Sequence, residues 1–106
     1  MSKLVAFFEI PASDFSRAVK FYEALFGVTL SQLDCGHEKM ACFPKGEGVC
    51  PGAIAWSKEF EFQPSAQGVL VSLACDSMAE KTKLIESNGG RILIPKTKIE
   101  DDSRGY

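Results

Sequence analysis

The sequence predicts an α+β fold built on a unit that occurs twice along the chain. Each copy has an apolar strand pattern, an acidic residue that can begin a helix, a glycine that can end it, and a second strand pattern. Asp14 precedes Gly27 by 13 positions (27 − 14), and Asp76 precedes Gly89 by the same 13 (89 − 76). Because an internal repeat of this kind defines architecture, we expect two related modules within the 106 residues.

The composition is typical of one soluble globular domain. Hydrophobic residues make up 45% and charged residues 25% of the chain, and the net charge is −2. That charge gives no support for binding to nucleic acid or to an anionic membrane, and no apolar run reaches the roughly 20 residues of a membrane helix. The N-terminus has no signal-peptide pattern, so we expect a cytoplasmic protein with neither a nucleic-acid nor a membrane partner.

The first module, residues 1–56, has the pattern β-α-β-β-β. A helix is expected to begin after Ser13 or Asp14 and to end at Phe26, since Gly27 can adopt the positive φ of a helix stop. Pro11 should end the first strand, because proline donates no hydrogen bond to a ladder. The strand patterns lie at Leu4–Ile10, Val28–Leu33, Lys39–Phe43 and Ala53–Trp56, with a turn at Asp34–His37 and a loop at Pro44–Gly48.

The remaining chain divides into a connector, residues 57–67, and an incomplete second module, residues 68–106. In the connector, Phe60 and Phe62 either anchor the segment or form a short edge strand. The second module has strand patterns at Val69–Cys75 and Arg91–Ile94 around a helix from Asp76 or Ser77 to Asn88. Two final strands are missing relative to the first module, so we expect the natural chain to continue past Tyr106. The alternative is that a partner supplies those strands, because unpaired strand edges promote association.

These features resemble a known family. The segments Phe8–Pro11, Asp14–Tyr22 and Phe26-Gly27 look like the first module of the vicinal oxygen chelate superfamily, which includes glyoxalase I, bleomycin-resistance proteins and extradiol dioxygenases. Gly68–Asp76, Gly89-Gly90 and Leu93–Thr97 resemble its second module. The resemblance implies paired βαβββ modules that form curved, incomplete barrels within a single domain, and a cleft that is often shared across a homodimer.

The resemblance also implies where metal ligands would lie. Metal-using members of the superfamily place four His, Gln or Glu side chains in the cleft. In this sequence the first position falls on Phe7, the second within Ala53–Trp56, the third on Val69 or Leu70, and the fourth beyond Tyr106. Three of the four are apolar, and divalent cations need oxygen or nitrogen ligands. We therefore expect no metal site and no cofactor, which argues against glyoxalase I and dioxygenase activity.

The leading hypothesis is a glyoxalase-like protein, a homodimer that binds a small organic molecule without metal. An apolar pocket would be lined by Phe7, Trp56, Val69 and Val71. The competing interpretation of these residues is core packing or a dimer seam, since aromatic residues are also enriched at interfaces. The four cysteines form no Cys-x-x-Cys motif, and His37, the single histidine, is expected to be exposed in a turn.

Glu9 is the one ionisable residue of the first strand pattern, and it points to the same side as Phe7. It could contact the ligand or accept a proton from it, or it could be a structural carboxylate at a strand end. Two further functions therefore stay open. One is a metal-independent isomerase or lyase that acts on a small carbonyl compound with Glu9 as its base. The other is a drug-sequestering protein of the resistance type, which would release its ligand unaltered.

Overall fold

A computed structural model describes residues 6–44, 51–60, 62–65 and 67–93. These residues contain four strands and two helices. They confirm the α+β class. In chain order the elements are β1 (Phe8–Pro11), α1 (Phe15–Phe26), β2 (Ser31–Asp34), β3 (Glu38–Cys42), β4 (Gly52–Ser57) and α2 (Met78–Ser87). By internal contacts the chain forms two compact units, Met1–Val71 and Ser72–Tyr106.

Some sequence predictions lie outside the described residues. These are the start of the first predicted strand at Leu4 and Val5, most of the loop after Pro44, and everything from Ile94 to Tyr106, including Pro95.

The four strands form one open, mixed sheet in the order β1-β4-β3-β2. β1 and β4 are parallel, whereas β4 with β3 and β3 with β2 are antiparallel. A short hairpin turn joins β2 to β3, and its Gly36 has a φ of 87°, which favours glycine. The Asp34 carboxylate accepts a hydrogen bond from the Gly36 N–H at 2.8 Å. The β-α-β-β-β order predicted for the first module is therefore confirmed.

Helix α1 covers one face of this sheet because its apolar residues recur on one side. The Asp14 carboxylate caps it by accepting from the Arg17 N–H, and Gly27 ends it with a φ of 64°, as the sequence predicts. The core between helix and sheet includes Phe15, Val19 and the fully buried Ile54. Buried apolar area of this kind is the main source of stability in a small protein.

The bounds of all four strands differ from the sequence predictions, and two of the differences have a local cause. β1 continues to Pro11, because β1 is an edge strand and the next residue, Ala12, still donates to the Ala55 carbonyl at 2.9 Å. β2 begins only at Ser31, because the Leu30 N–H donates to the Glu23 carboxylate instead of to a neighbouring strand. A local side-chain acceptor here competes with ladder formation.

Helix α2 is confirmed, but the strand predicted before it is wrong, and the described part of the strand predicted after it, residues 91–93, forms no strand. Ser77 caps α2 by accepting from the Glu80 N–H, and Gly89 follows it with a φ of 89°. Residues 69–75 and 91–93 belong to no strand, and Val69 and Leu70 are 93% and 88% exposed. An apolar run becomes a strand only when another strand pairs with it, and the described residues offer this run no ladder partner.

Candidate functional site

One face of the sheet packs against helix α1, and the other face is not covered by it. Successive residues of a strand point to opposite faces, so Phe8 and Ile10 of β1 point toward the helix and pack on the core. Glu9, between them, points to the other face, which α1 does not cover. The ladder places Glu9 beside Ala53 of β4, on that same open face. A concavity on this open face could therefore bind a ligand without disrupting the core.

The open face carries a groove of about 360 Å³. Its floor is an apolar row that crosses three strands, because Leu33 of β2 lies opposite Met40 of β3, and Met40 lies opposite Ala55 of β4. Ala55 is only 3% exposed, while Leu33 is 61% exposed, so the row runs from the sheet centre to its free edge. The residues that line the groove are Glu9, Leu33, Cys35, Glu38, Lys39, Met40, Ala55, Trp56, Phe60 and Phe62.

Phe60 and Phe62 form an aromatic wall beside this floor. The Ser57 hydroxyl, at the end of β4, accepts from the backbone N–H groups of Glu59 and Phe60 at 3.2 and 3.0 Å. This turns the chain immediately after the strand. The Phe62 N–H then donates to the Phe60 carbonyl at 2.7 Å, and the two rings stack with centroids 6.2 Å apart. Residues 60 and 62 belong to no strand, so the edge-strand alternative is wrong for them, and anchoring of the connector stays a prediction.

The charged side chains of the groove are not distributed evenly. Glu9 and Glu38 are exposed, and strand alternation places both on the open face. Lys39 also borders the groove, but its Nζ lies 5.2 Å from the Trp56 ring centroid and 6.0 Å from that of Phe15. Phe15 belongs to α1, so the Lys39 ammonium points to the helix face. Among the groove residues, the charges directed into the concavity are thus both negative.

The sequence-predicted site residues are only partly brought together. Glu9 and Trp56 both border the groove, although the Trp56 ring packs against the helix-side core. Phe7 is 51% exposed, and Val69 and Val71 are 93% and 42% exposed. None of these three lines the groove. The exposed position predicted for His37, in the turn between β2 and β3, agrees with the structure.

Sequence reasoning missed most of the groove. Leu33, Met40 and Ala55 become neighbours only through strand pairing, which the sequence does not specify. The one local signal was the alternation of Phe60 and Phe62 with Glu59 and a second glutamate, which suggested an anchor or an edge strand and not the wall of a groove.

The environment of Tyr22 alters its acidity. Burial raises its pKa above the usual value of 10.0, because the phenolate loses its hydration. Its ring makes an edge contact with Phe43 in the core, with centroids 5.8 Å apart. Tyr22 therefore belongs to the helix-side core and takes no part in the chemistry of the groove.

The described residues form no cluster that would bind a metal ion and no membrane-spanning helix. No group of three or more His, Cys, Asp or Glu side chains there is arranged to bind a metal ion. The metal-free interpretation nevertheless stays a prediction. Within the same residues, neither helix has the length and apolarity needed to cross a bilayer.

Comparisons with known proteins add no assignment. No protein-family model matches the chain, and neither the curated proteins nor the solved structures include a significant match to it.

Proposed function

We propose that this chain is a glyoxalase-like protein of the vicinal oxygen chelate type that binds a small organic molecule in the groove of its open sheet face, without a metal ion. The observation that carries the proposal is the apolar row Leu33–Met40–Ala55 beside the stacked rings of Phe60 and Phe62. A volume of about 360 Å³ falls in the range of small-molecule sites, which are concave and mostly apolar with a few polar groups.

The sheet order supports the family part of this proposal. Along the chain β1 is the first of these strands and β4 is the last, and the two lie side by side and parallel, so the first and last strands of one βαβββ unit are neighbours in the sheet. The repeated 13-residue spacing from acidic helix start to glycine stop is the support for a second, related module. The strands β1 and β2 both have a free edge among the described residues, and such edges favour pairing with another copy. On this basis we propose a cytoplasmic homodimer.

The binding function is tested with neutral phenylnaphthylamine, an apolar probe that fluoresces when it enters a dry site. Phe60→Ala and Phe62→Ala should each weaken binding about two- to tenfold, the effect of removing one aromatic contact. Phe7→Ala is the matched control, because Phe7 is 51% exposed, comparable to the 58% of Phe60, and lies outside the groove. Equal binding by all four proteins would show that the probe does not use the groove and would contradict the proposal.

A second function rests on the position of Glu9, whose carboxylate borders the groove. A metal-independent isomerase or lyase would use it as a general base. In the isomerase step, Glu9 takes the proton from the carbon next to a carbonyl, and the C–H electron pair forms the enolate. The proton held by Glu9 exchanges with solvent water, and Glu9 then returns a proton to the same or a neighbouring carbon. A drug-sequestering protein would bind the ligand in the same groove and leave it unchanged.

Proton exchange separates the enzyme from the binding protein. With phenylacetone in deuterated buffer, an enzyme of this kind should speed deuterium incorporation next to the carbonyl, as measured by proton NMR. Glu9→Gln should abolish that acceleration, whereas Glu86→Gln, which lies outside the groove-lining residues, should preserve it. Binding of the ketone with no faster exchange would favour the sequestering protein. Exchange that survives Glu9→Gln would exclude Glu9 as the base.

A further inference from the structure

The pattern of charges around the groove indicates which charge its ligand carries. Glu9 and Glu38 stand on the same open face but at opposite ends, since Glu9 lies beside Ala53 and Glu38 lies opposite Ser57. Those β4 positions are four residues apart (57 − 53). With strand rise and spacing included, the two glutamate Cα atoms are about 16 Å apart. The apolar row lies between the two carboxylates.

Among the described residues, no lysine or arginine that lines the groove directs its charge into it. The Lys39 ammonium lies over the Phe15 and Trp56 rings on the helix face. His37 and Lys58 are joined by a backbone hydrogen bond of 2.8 Å at the Glu38 end of the sheet, but neither lines the groove. The groove therefore presents an electrostatic potential that attracts positive charge and repels negative charge.

The aromatic wall has the same preference. The faces of Phe60 and Phe62 carry the negative part of the ring quadrupole, which attracts an organic cation placed over them. Phe60 is 58% exposed and Phe62 is 40% exposed, so ring surface is available to a ligand. An aliphatic wall would not distinguish a cation from a neutral ligand in this way.

We propose that the groove selects organic cations with a flat apolar body. The body lies on the Leu33–Met40–Ala55 row against the two phenylalanine rings, and the positive group faces Glu9 or Glu38. This inference rests on the proposed binding function and deepens it, because it assigns the ligand's charge. Anions of the same shape are disfavoured, because they would place negative charge beside an exposed carboxylate.

The test uses three probes with one phenylnaphthylamine scaffold: the neutral parent, a sulfonate and a trimethylammonium derivative. Their dissociation constants are measured on the full chain at low and at high salt. We expect the cation to bind about two- to twentyfold more tightly than the neutral probe, since each exposed ion pair contributes modestly. The sulfonate should bind more weakly than the neutral probe. High salt should bring the three constants together, since it screens exposed charges.

Variants assign the effect to the two carboxylates. Glu9→Gln and Glu38→Gln should each reduce the cation's advantage about two- to fivefold and leave the neutral probe unaffected. Glu86→Gln is the control, because it removes the same charge from an exposed helix position that does not line the groove.

The outcomes distinguish this inference from the function on which it rests. If all three probes bind equally, or if neither glutamine variant reduces the cation's advantage over the neutral probe, the charge selectivity is wrong while the binding function stands. If no probe binds, both are wrong.

Discussion

The Glu23 carboxylate accepts a hydrogen bond from the backbone N–H of Leu30, with 2.8 Å between Oε2 and the nitrogen. Glu23 lies in the last turns of α1, and Leu30 is the residue directly before β2. Leu30 is 3% exposed, so water has little access to replace this acceptor. The bond therefore connects the helix to the sheet at the point where the chain turns from one to the other.

Glu23→Ala should lower the free energy of unfolding by about 1–3 kcal/mol, because it leaves a buried N–H without its acceptor. Urea unfolding measures the change. Glu23→Gln is the matched control, since its amide oxygen can still accept from Leu30, and it should recover most of the loss. If the alanine and glutamine variants are equally unstable, the hydrogen bond is not the source of the effect.

Gly27→Ala should cost about 1–2 kcal/mol, because a residue with a Cβ is strained in the left-handed region. The φ of Gly27 is +64° and no atom lies within 4 Å of a Cβ built there, so the loss would come from backbone strain and not from a clash. Gly27→Asn should be milder, since asparagine tolerates this conformation better. Thermal unfolding compares the three proteins, and an alanine variant as stable as the wild type would contradict the assignment.

Gly52→Ala should destabilise the protein through its contact with Phe8. A Cβ at residue 52 would lie 2.5 Å from the Phe8 Cζ, so the ring would have to move, and overpacking of this kind costs about 1–3 kcal/mol. Shortening the ring in Phe8→Leu should reduce the cost, so the double variant should be more stable than the sum of the two single losses. Gly68→Ala is the control, because nothing lies within 4 Å of its added Cβ. Strictly additive losses would exclude the clash.

Stability should fall above about pH 10, because burial raises the pKa of Tyr22 beyond its usual value of 10.0. The unfolded chain releases the phenolic proton near that pH, whereas the folded chain retains it, so the free energy of unfolding decreases as the pH rises through the raised pKa. Below pH 10.0 both states hold the proton, so Tyr22 makes no contribution to the pH dependence of stability there. Urea unfolding of wild type and Tyr22→Phe across this range is the measurement. Wild type should lose stability relative to Tyr22→Phe as the pH rises above 10.0, and parallel curves would contradict the prediction.

The sequence predicted the first module well because its signals are local. Asp14 and Gly27 mark the two ends of α1 through interactions within a few residues of the chain, and the apolar spacing between them defines the buried face. The prediction of a strand before α2 was wrong because strand formation depends on signals that are not local. Val69–Cys75 has the apolar character of a strand, but strand formation depends on a distant partner.

The groove was hidden from the sequence because it depends on register. Glu9 and Trp56 were both candidates for one pocket, yet Glu9 lies beside Ala53, and Trp56 is three residues further along β4. An odd offset places its ring on the opposite face. A shift of the β1–β4 register by one residue would have reversed this outcome, and no local pattern specifies that register.

The order of strands in the sheet has a consequence for how the protein folds during synthesis. β4 lies between β1 and β3 in space but is the last of the four strands to leave the ribosome. Until it emerges, β2 and β3 can form only an isolated hairpin, which is marginally stable, and β1 has no strand beside it. Pairing Phe8 with Gly52 then closes 44 residues of chain (52 − 8), a distant contact of the kind that slows folding. The groove can therefore exist only after this last step, so a nascent chain stopped before Gly52 should not retain a ligand.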